Sequence, residues 1–101
     1  MKYVVRQTET FAAWRSSLTD LKAAPAIRRW MARAAAGSLG DVRPVRGSVS
    51  EMRIGVGAGY RLYFTVRART LLFLLVGGNK SAQKTDIRRA LALAKELNHD
   101  D

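Results

Sequence analysis

The stretch EMRIGVGAGYRLYF, residues 51–64, decides how the second half of the chain folds. Apolar and polar residues alternate on both sides of its three glycines, which is the period-two pattern of two half-buried strands. A hairpin with its apolar side chains on one face pairs Ile54 with Leu62, because a slip by one residue would mix the two faces. The three-residue loop 57–59 that remains predicts one left-handed residue, a conformation that glycine adopts without steric cost.

The glycines of this stretch do not match a phosphate-binding loop. A dinucleotide-binding fingerprint requires G-x-G-x-x-G at the start of a helix, whereas the G-x-G-x-G found here is followed by a strand pattern. The later segment VGGNKS, residues 76–81, lacks the upstream glycine of a G-x-x-x-x-G-K-[ST] loop. The sequence therefore assigns the glycines of 51–64 to a chain reversal and predicts no nucleotide cofactor.

The other face of the predicted hairpin carries a candidate phosphate site. In the same register Arg61 opposes Gly55, which has no side chain and leaves open space in front of the guanidinium group. Arg53 opposes Tyr63 on that face. Two arginines, a tyrosine and a gap suit a phosphate group or a base. The alternative, which the pattern leaves open, is that these residues are ordinary solvated members of a sheet face.

Patterns outside the hairpin predict one α+β domain spanning residues 1–101. An N-terminal strand leads into an αα-hairpin, then into a mostly antiparallel sheet of four to five strands, and a helix closes the chain. Pro44 marks an edge strand, since proline cannot donate to a ladder. The remaining signals are a strand at 2–7, an N-cap at Thr8, a helical stripe of Phe11, Trp14, Leu18 and Leu21, a second helix from Pro25 to Gly37, a buried strand at 70–76, and a helical stripe from Ile87 to Leu97.

The charge composition indicates an acidic partner. Lysine and arginine number 18 against 8 acidic residues, the formal net charge is +10, and 13 of the basic residues are arginines. Arginine grips phosphate with a planar fork, so we expect nucleic acid or an acidic protein as partner, with plain solubility as the alternative. The chain has no cysteine and no signal-peptide pattern, and its longest uninterrupted apolar run is residues 71–76. We therefore expect a cytoplasmic protein that does not engage a membrane.

Two linked blocks, GYRLYF at residues 59–64 and GGNKSAQKTDI at 77–87, resemble a known family. Together with the spacing of Phe11, Trp14, Leu18 and Asp20 and with GSLGDVRPV at 37–45, they are similar to the RelE/ParE superfamily of type II toxin–antitoxin toxins, and in particular to its HigB-like branch of addiction module killer proteins. The resemblance covers nearly the whole chain.

Membership of this family would imply the RelE-like α+β fold and a cognate antitoxin, expected to be of the helix-turn-helix type. Many members are metal-independent endoribonucleases that cut messenger RNA in the ribosomal A site and so inhibit translation. The ParE branch instead inhibits DNA gyrase, and a shared scaffold does not choose between the two activities. A plain basic RNA-binding module, with salt-sensitive binding and no toxicity, is a third hypothesis.

The resemblance also assigns roles to basic residues. It makes Arg61 the residue that stabilises developing phosphate charge, with Arg53 beside it. Lys80 is expected to bind phosphate or transfer protons, and Tyr63 to stack on a base or donate a hydrogen bond. The only histidine, His99, lies near the C-terminus and is expected to be a solvated residue. No metal ion or other cofactor is expected.

Further residues are expected to bind RNA or the antitoxin. Gln83 would read or stack on a base, Lys84 would face the same way as Lys80, and Arg46 would contact backbone phosphate. Asp86 is interpreted as a first-turn helix residue, favoured by the helix dipole, rather than as a catalyst. The basic surface proposed for the antitoxin consists of Arg28, Arg29 and Arg33.

Overall fold

A five-stranded mixed sheet lies at the centre of the computed structural model, which describes residues 2–98. The strand order is β1-β5-β4-β3-β2, with β1 parallel to β5 and the other neighbouring pairs antiparallel. This architecture confirms the predicted α+β class and the order of elements. Along the chain the elements are β1 (Val4–Gln7), α1 (Glu9–Ser17), α2 (Ala23–Ala35), β2 (Val42–Arg46), β3 (Val49–Ile54), β4 (Tyr60–Arg67), β5 (Leu71–Asn79), a 3₁₀ turn (Lys80–Ala82) and α3 (Gln83–Asn98).

The β3–β4 hairpin has the predicted faces but a different register. Ile54 pairs with Tyr60 rather than with Leu62, so the expected pairing is wrong by two residues and the loop comprises residues 55–59. Gly57 and Gly59 both have positive φ, 55° and 80°, where one left-handed residue had been expected. A shift of two leaves every side chain on its predicted face, because the pleat repeats every two residues.

A hydrogen bond links the residue that follows the hairpin loop to a residue outside the hairpin. The Tyr60 hydroxyl donates a 3.0 Å hydrogen bond to Oδ2 of Asp20, whose Oδ1 accepts from the backbone N–H groups of Lys22 and Ala23. Two hydrogen bonds to the carboxylate lower the pKa of Asp20: the larger effect comes from the backbone N–H of Lys22 and the next from the Tyr60 hydroxyl. The loop between α1 and α2 thus contacts the first residue of β4, a contact that local pattern alone could not specify.

Helices cover both faces of the sheet. Helices α1 and α2 pack on one face over a core that includes Phe11, Ile27, Trp30, Leu62 and Phe64. Helix α3 packs on the other face, over a second core of Val49, Tyr63, Leu75, Val76, Ala90 and Ala94. The face assigned to solvent from the hairpin pattern is therefore largely an interior one, and strand β5 is buried on both sides as predicted.

The N-terminal helices begin and end close to their sequence signals. Thr8 caps α1 as predicted, since its Oγ1 accepts a 3.0 Å hydrogen bond from the N–H of Phe11. Leu21 does not belong to the α1 stripe: the helix ends at Ser17, and Leu21 lies in the following turn with 90% of its surface exposed. Gly37 ends α2 at φ 101°. Within residues 2–98 no helix combines the length and hydrophobicity needed to cross a membrane.

The glycine pair of VGGNKS admits one side chain on each face of the sheet. A Cβ at Gly77 would overlap the indole ring of Trp14 from α1, and a Cβ at Gly78 would overlap the carboxylate of Asp86 from α3. Successive residues of a strand point to opposite faces, so one glycine serves each helix. The pair is thus explained by close packing, in agreement with the rejection of a phosphate loop.

Candidate functional site

Three of the predicted site residues surround one small cavity at the end of the β3–β4 hairpin. Arg53 and Arg61 are direct partners across the two strands, and Lys80 follows the end of β5. These three cations line a cavity of about 140 Å³ together with Ile54, Gly55, Gly59 and Tyr60. A Cβ at Gly55 would meet no atom of the described residues within 4 Å, so the entrance is open there. The expected space in front of Arg61 exists, although Arg53 rather than Gly55 is its strand partner.

A buried carboxylate lies beneath these arginines and was missed as a site residue. Oε2 of Glu51 is 3.5 Å from Nε of Arg61, and Oε1 is 3.5 Å from Nε of Arg53. Arg43 of β2 approaches the same Oε1 to 4.0 Å. The signal for Glu51 was available, since it precedes Arg53 by two residues and so shares its face. Its contact with Arg43 required the register of β2.

Tyr63 does not have the exposure that stacking on a base requires. Its ring is fully buried beneath α3, so the predicted stacking is wrong, while the alternative role of its hydroxyl as a hydrogen-bond donor stays a prediction. Burial, reinforced by the negative charges of Glu51 and Asp86 and opposed by Arg61, raises the pKa of Tyr63 to about 12. The hydroxyl is a buried atom that has no hydrogen-bond partner among the described residues.

Replacement of Tyr63 by phenylalanine is expected to leave the free energy of unfolding unchanged or to raise it by up to about 1 kcal/mol. The reason is that the variant removes a buried polar group without a partner and keeps the ring. Thermal unfolding measures the effect, with Tyr63→Ala as the comparison that should cost about 3 kcal/mol or more through the cavity it leaves. A clearly lower melting temperature for Tyr63→Phe would mean that the hydroxyl makes a stabilising bond.

Asp86 is a second buried carboxylate near the site. It lies in the first turn of α3, as predicted, but its side chain points inward onto Gly78 rather than into solvent. Burial raises the pKa of Asp86, while the positive charge of Arg89 opposes that shift. Since Gly78 pairs with Arg61, Asp86 occupies the sheet position next to the arginine cluster.

The start of α3 forms a second cavity that shares Lys80 with the first. This cavity has a volume of about 250 Å³ and is lined by residues 80–85, including the predicted RNA-binding residues Gln83 and Lys84. The side chain of Asn79 shapes the turn by accepting hydrogen bonds from the backbone N–H and the hydroxyl of Ser81, at 3.1 and 2.6 Å. Lys80 belongs to the 3₁₀ turn rather than to α3, yet it still faces the same region as Lys84.

One predicted RNA-binding residue lies apart from these cavities. Arg46 is exposed at the far end of β2, opposite Val49, and lines neither cavity. His99 lies outside the described residues. A larger groove of about 550 Å³ runs between α1 and α3, but the negative charge of Glu9 and the positive charge of Arg89 on its walls cancel. Charge, rather than size, therefore distinguishes the cavity of Arg53, Arg61 and Lys80.

Fold and site together define a small basic α+β protein with a cationic cleft at one end of its sheet. The chain is 39% identical, over 97 residues, to a protein of Haemophilus influenzae described as uncharacterized. The aligned region covers 96% of this chain and 98% of that protein, and the chain belongs to the same family. No protein-family model matches the sequence.

Proposed function

We propose that this protein is a RelE/ParE-type toxin of a type II toxin–antitoxin system, of the HigB-like branch, and that it inhibits translation by cutting ribosome-bound messenger RNA. The supporting observation is that Arg53, Arg61 and Lys80 surround one small open cavity. A net charge of +10 favours a polyanionic substrate in addition. The protein acts in the cytoplasm, where its substrate is found.

The cleavage step uses the 2′-hydroxyl of RNA as the nucleophile. The 2′-hydroxyl gives its proton to a water molecule, a bond forms between the 2′-oxygen and phosphorus, the bond from phosphorus to the 5′-oxygen breaks, and the departing 5′-oxygen takes up a proton from the Lys80 ammonium group. Arg61 and Arg53 neutralise the negative charge that develops on the phosphate oxygens. Of the three cations Lys80 is the one that can exchange a proton, because arginine stays protonated.

Mapping of cellular messages by primer extension tests this function. Induction of the protein in growing bacteria is expected to produce new 5′ ends within translated codons, and inhibition of translation initiation should prevent them. The matched control is Arg61→Ala at the same protein level. Intact messages in growth-arrested cells would contradict the proposal.

One observation favours a second function, inhibition of DNA gyrase without cleavage. Residues 2–98 contain no histidine, and the carboxylate nearest the cleft, that of Glu51, is 3% exposed and engaged by arginines. The cleft thus offers phosphate binding more readily than base catalysis. In that case induction would leave messages intact and would activate the response to DNA damage.

The exposed surface of α2 is the proposed contact for the antitoxin. Arg28, Arg29 and Arg33 are exposed on this helix, which has no acidic residue. An acidic segment of a helix-turn-helix antitoxin encoded next to this gene would complement that charge. Replacement of all three arginines by glutamate is expected to abolish co-purification with the product of the adjacent gene. Retention of the complex, at the level seen with the control Arg88→Glu on α3, would exclude this surface.

A further inference from the structure

One carboxylate joins three arginines from three neighbouring strands. Nε of Arg53 and Nε of Arg43 approach Oε1 of Glu51, at 3.5 and 4.0 Å. Nε of Arg61 approaches Oε2 at 3.5 Å. Arg43 on β2 lies directly opposite Glu51, and Arg61 on β4 lies directly opposite Arg53. The guanidinium groups therefore form a row on one sheet face that crosses two strand spacings, roughly 10 Å.

We infer that Glu51 is a positioning residue that holds this row in place, and that Arg43 extends the phosphate-binding cleft to the β2 edge. The ligand is a single strand of RNA, whose successive phosphates contact Arg61, Arg53 and Arg43. This inference rests on the proposed function in that it takes RNA as the ligand. It adds two residues, Glu51 and Arg43, to the site.

The exposure of the side chains increases outward from the carboxylate. Glu51 is 3% exposed, whereas Arg61, Arg53 and Arg43 are 15%, 43% and 58% exposed. Because each ion pair uses Nε, the two terminal nitrogens of each guanidinium group are left to bind a ligand. Three positive charges against one negative charge leave the row with a net attraction for phosphate. Without the carboxylate the arginines would repel one another and separate.

A purely structural role for Glu51 leads to the opposite expectation for RNA binding. If the carboxylate only balanced buried charge, its replacement by glutamine would add one net positive charge to the RNA-facing surface. RNA binding would then become tighter, since affinity for phosphates rises with the positive charge of the binding surface. A positioning role predicts weaker binding, because the arginines lose the anion that holds them in register.

Fluorescence anisotropy with a short, fully 2′-O-methylated single-stranded RNA tests the inference on the full-length protein. Arg43→Ala is expected to weaken binding roughly fivefold and to reduce the slope of log affinity against log salt by about 0.7, the contribution of one phosphate contact on a single strand. Glu51→Gln is expected to weaken binding by a similar factor despite its gain in net charge. The double variant should bind about as weakly as either single variant.

The control is Arg6→Ala, which removes the same charge from β1 and should keep the wild-type slope. RNA binding by Glu51→Gln as tight as wild type or tighter, or a slope for Arg43→Ala equal to that of Arg6→Ala, would overturn the inference alone. Absence of RNA binding by the wild-type protein would overturn the proposed function as well. If Glu51→Gln does not fold, the slope of Arg43→Ala and the affinity of Glu51→Asp, expected to be lowered by its shorter reach, decide the matter.

Discussion

Replacement of Arg61 by alanine is expected to reduce the toxicity of the protein by at least about 100-fold, measured as the protein level needed to arrest growth. Arg61 is the less exposed of the two cleft arginines, at 15% against 43% for Arg53, and the lower dielectric of its partly buried position strengthens its interaction with a phosphate. Removal of one preorganised group that stabilises transition-state charge typically costs about 10²–10³ in rate. Growth curves at matched expression, together with primer extension, measure the effect.

Two companion variants separate the function of Arg61 from its part in the fold. Arg61→Lys keeps the charge but not the planar fork, so intermediate toxicity is expected. Arg6→Ala removes the same charge from β1, the edge strand farthest from β2, and should remain fully toxic. A folded Arg61→Ala protein with wild-type toxicity would show that the cleft has been assigned to the wrong residue.

Replacement of Gly78 by alanine is expected to destabilise the fold by about 2 kcal/mol, which lowers the melting temperature by roughly 10 °C. The added Cβ would occupy the position of the Asp86 carboxylate, so this buried side chain would have to rotate out of its packed position or α3 would have to move away from the sheet. Addition of Asp86→Ala is expected to remove this clash. The double variant should then be at least about 1 kcal/mol more stable than the sum of the two single effects predicts.

Gly55→Ala is the matched control for Gly78→Ala. A Cβ at Gly55 meets no described atom within 4 Å, so the melting temperature should stay the same or rise slightly. Strictly additive effects of Gly78→Ala and Asp86→Ala would contradict the proposed overlap. The single variant Gly78→Ala is also expected to bind RNA more weakly, because Arg61 is the strand partner of Gly78 and would be displaced.

Local signals in the sequence were sufficient for the element order and for the faces of the hairpin. Alternation around the glycines placed Arg53 and Arg61 on one face, because side-chain direction in a strand depends only on parity. Thr8 as a cap, Pro44 on an edge strand and Gly37 after a helix followed from the backbone chemistry of those residues. The cations of the cleft could therefore be named before their positions were known.

Contacts between distant segments decided the rest. The first residue of β4, Tyr60, hydrogen-bonds to Asp20, which lies 40 residues earlier in the chain, and no local pattern reports this contact. Tyr63 is buried because α3 packs over it. Since α3 follows β5 in the sequence, no pattern within the hairpin predicts that this face is covered.

The arrangement around Glu51 combines both kinds of information. The sequence by itself determined that Glu51 and Arg53 share a face, because they are two residues apart on one strand. Only the tertiary structure brought Arg43 from β2 and Arg61 from β4 to the same carboxylate. The physical reason is that strand periodicity is a local property of the chain, whereas strand pairing and the helix that covers a face are set by packing between segments far apart in sequence.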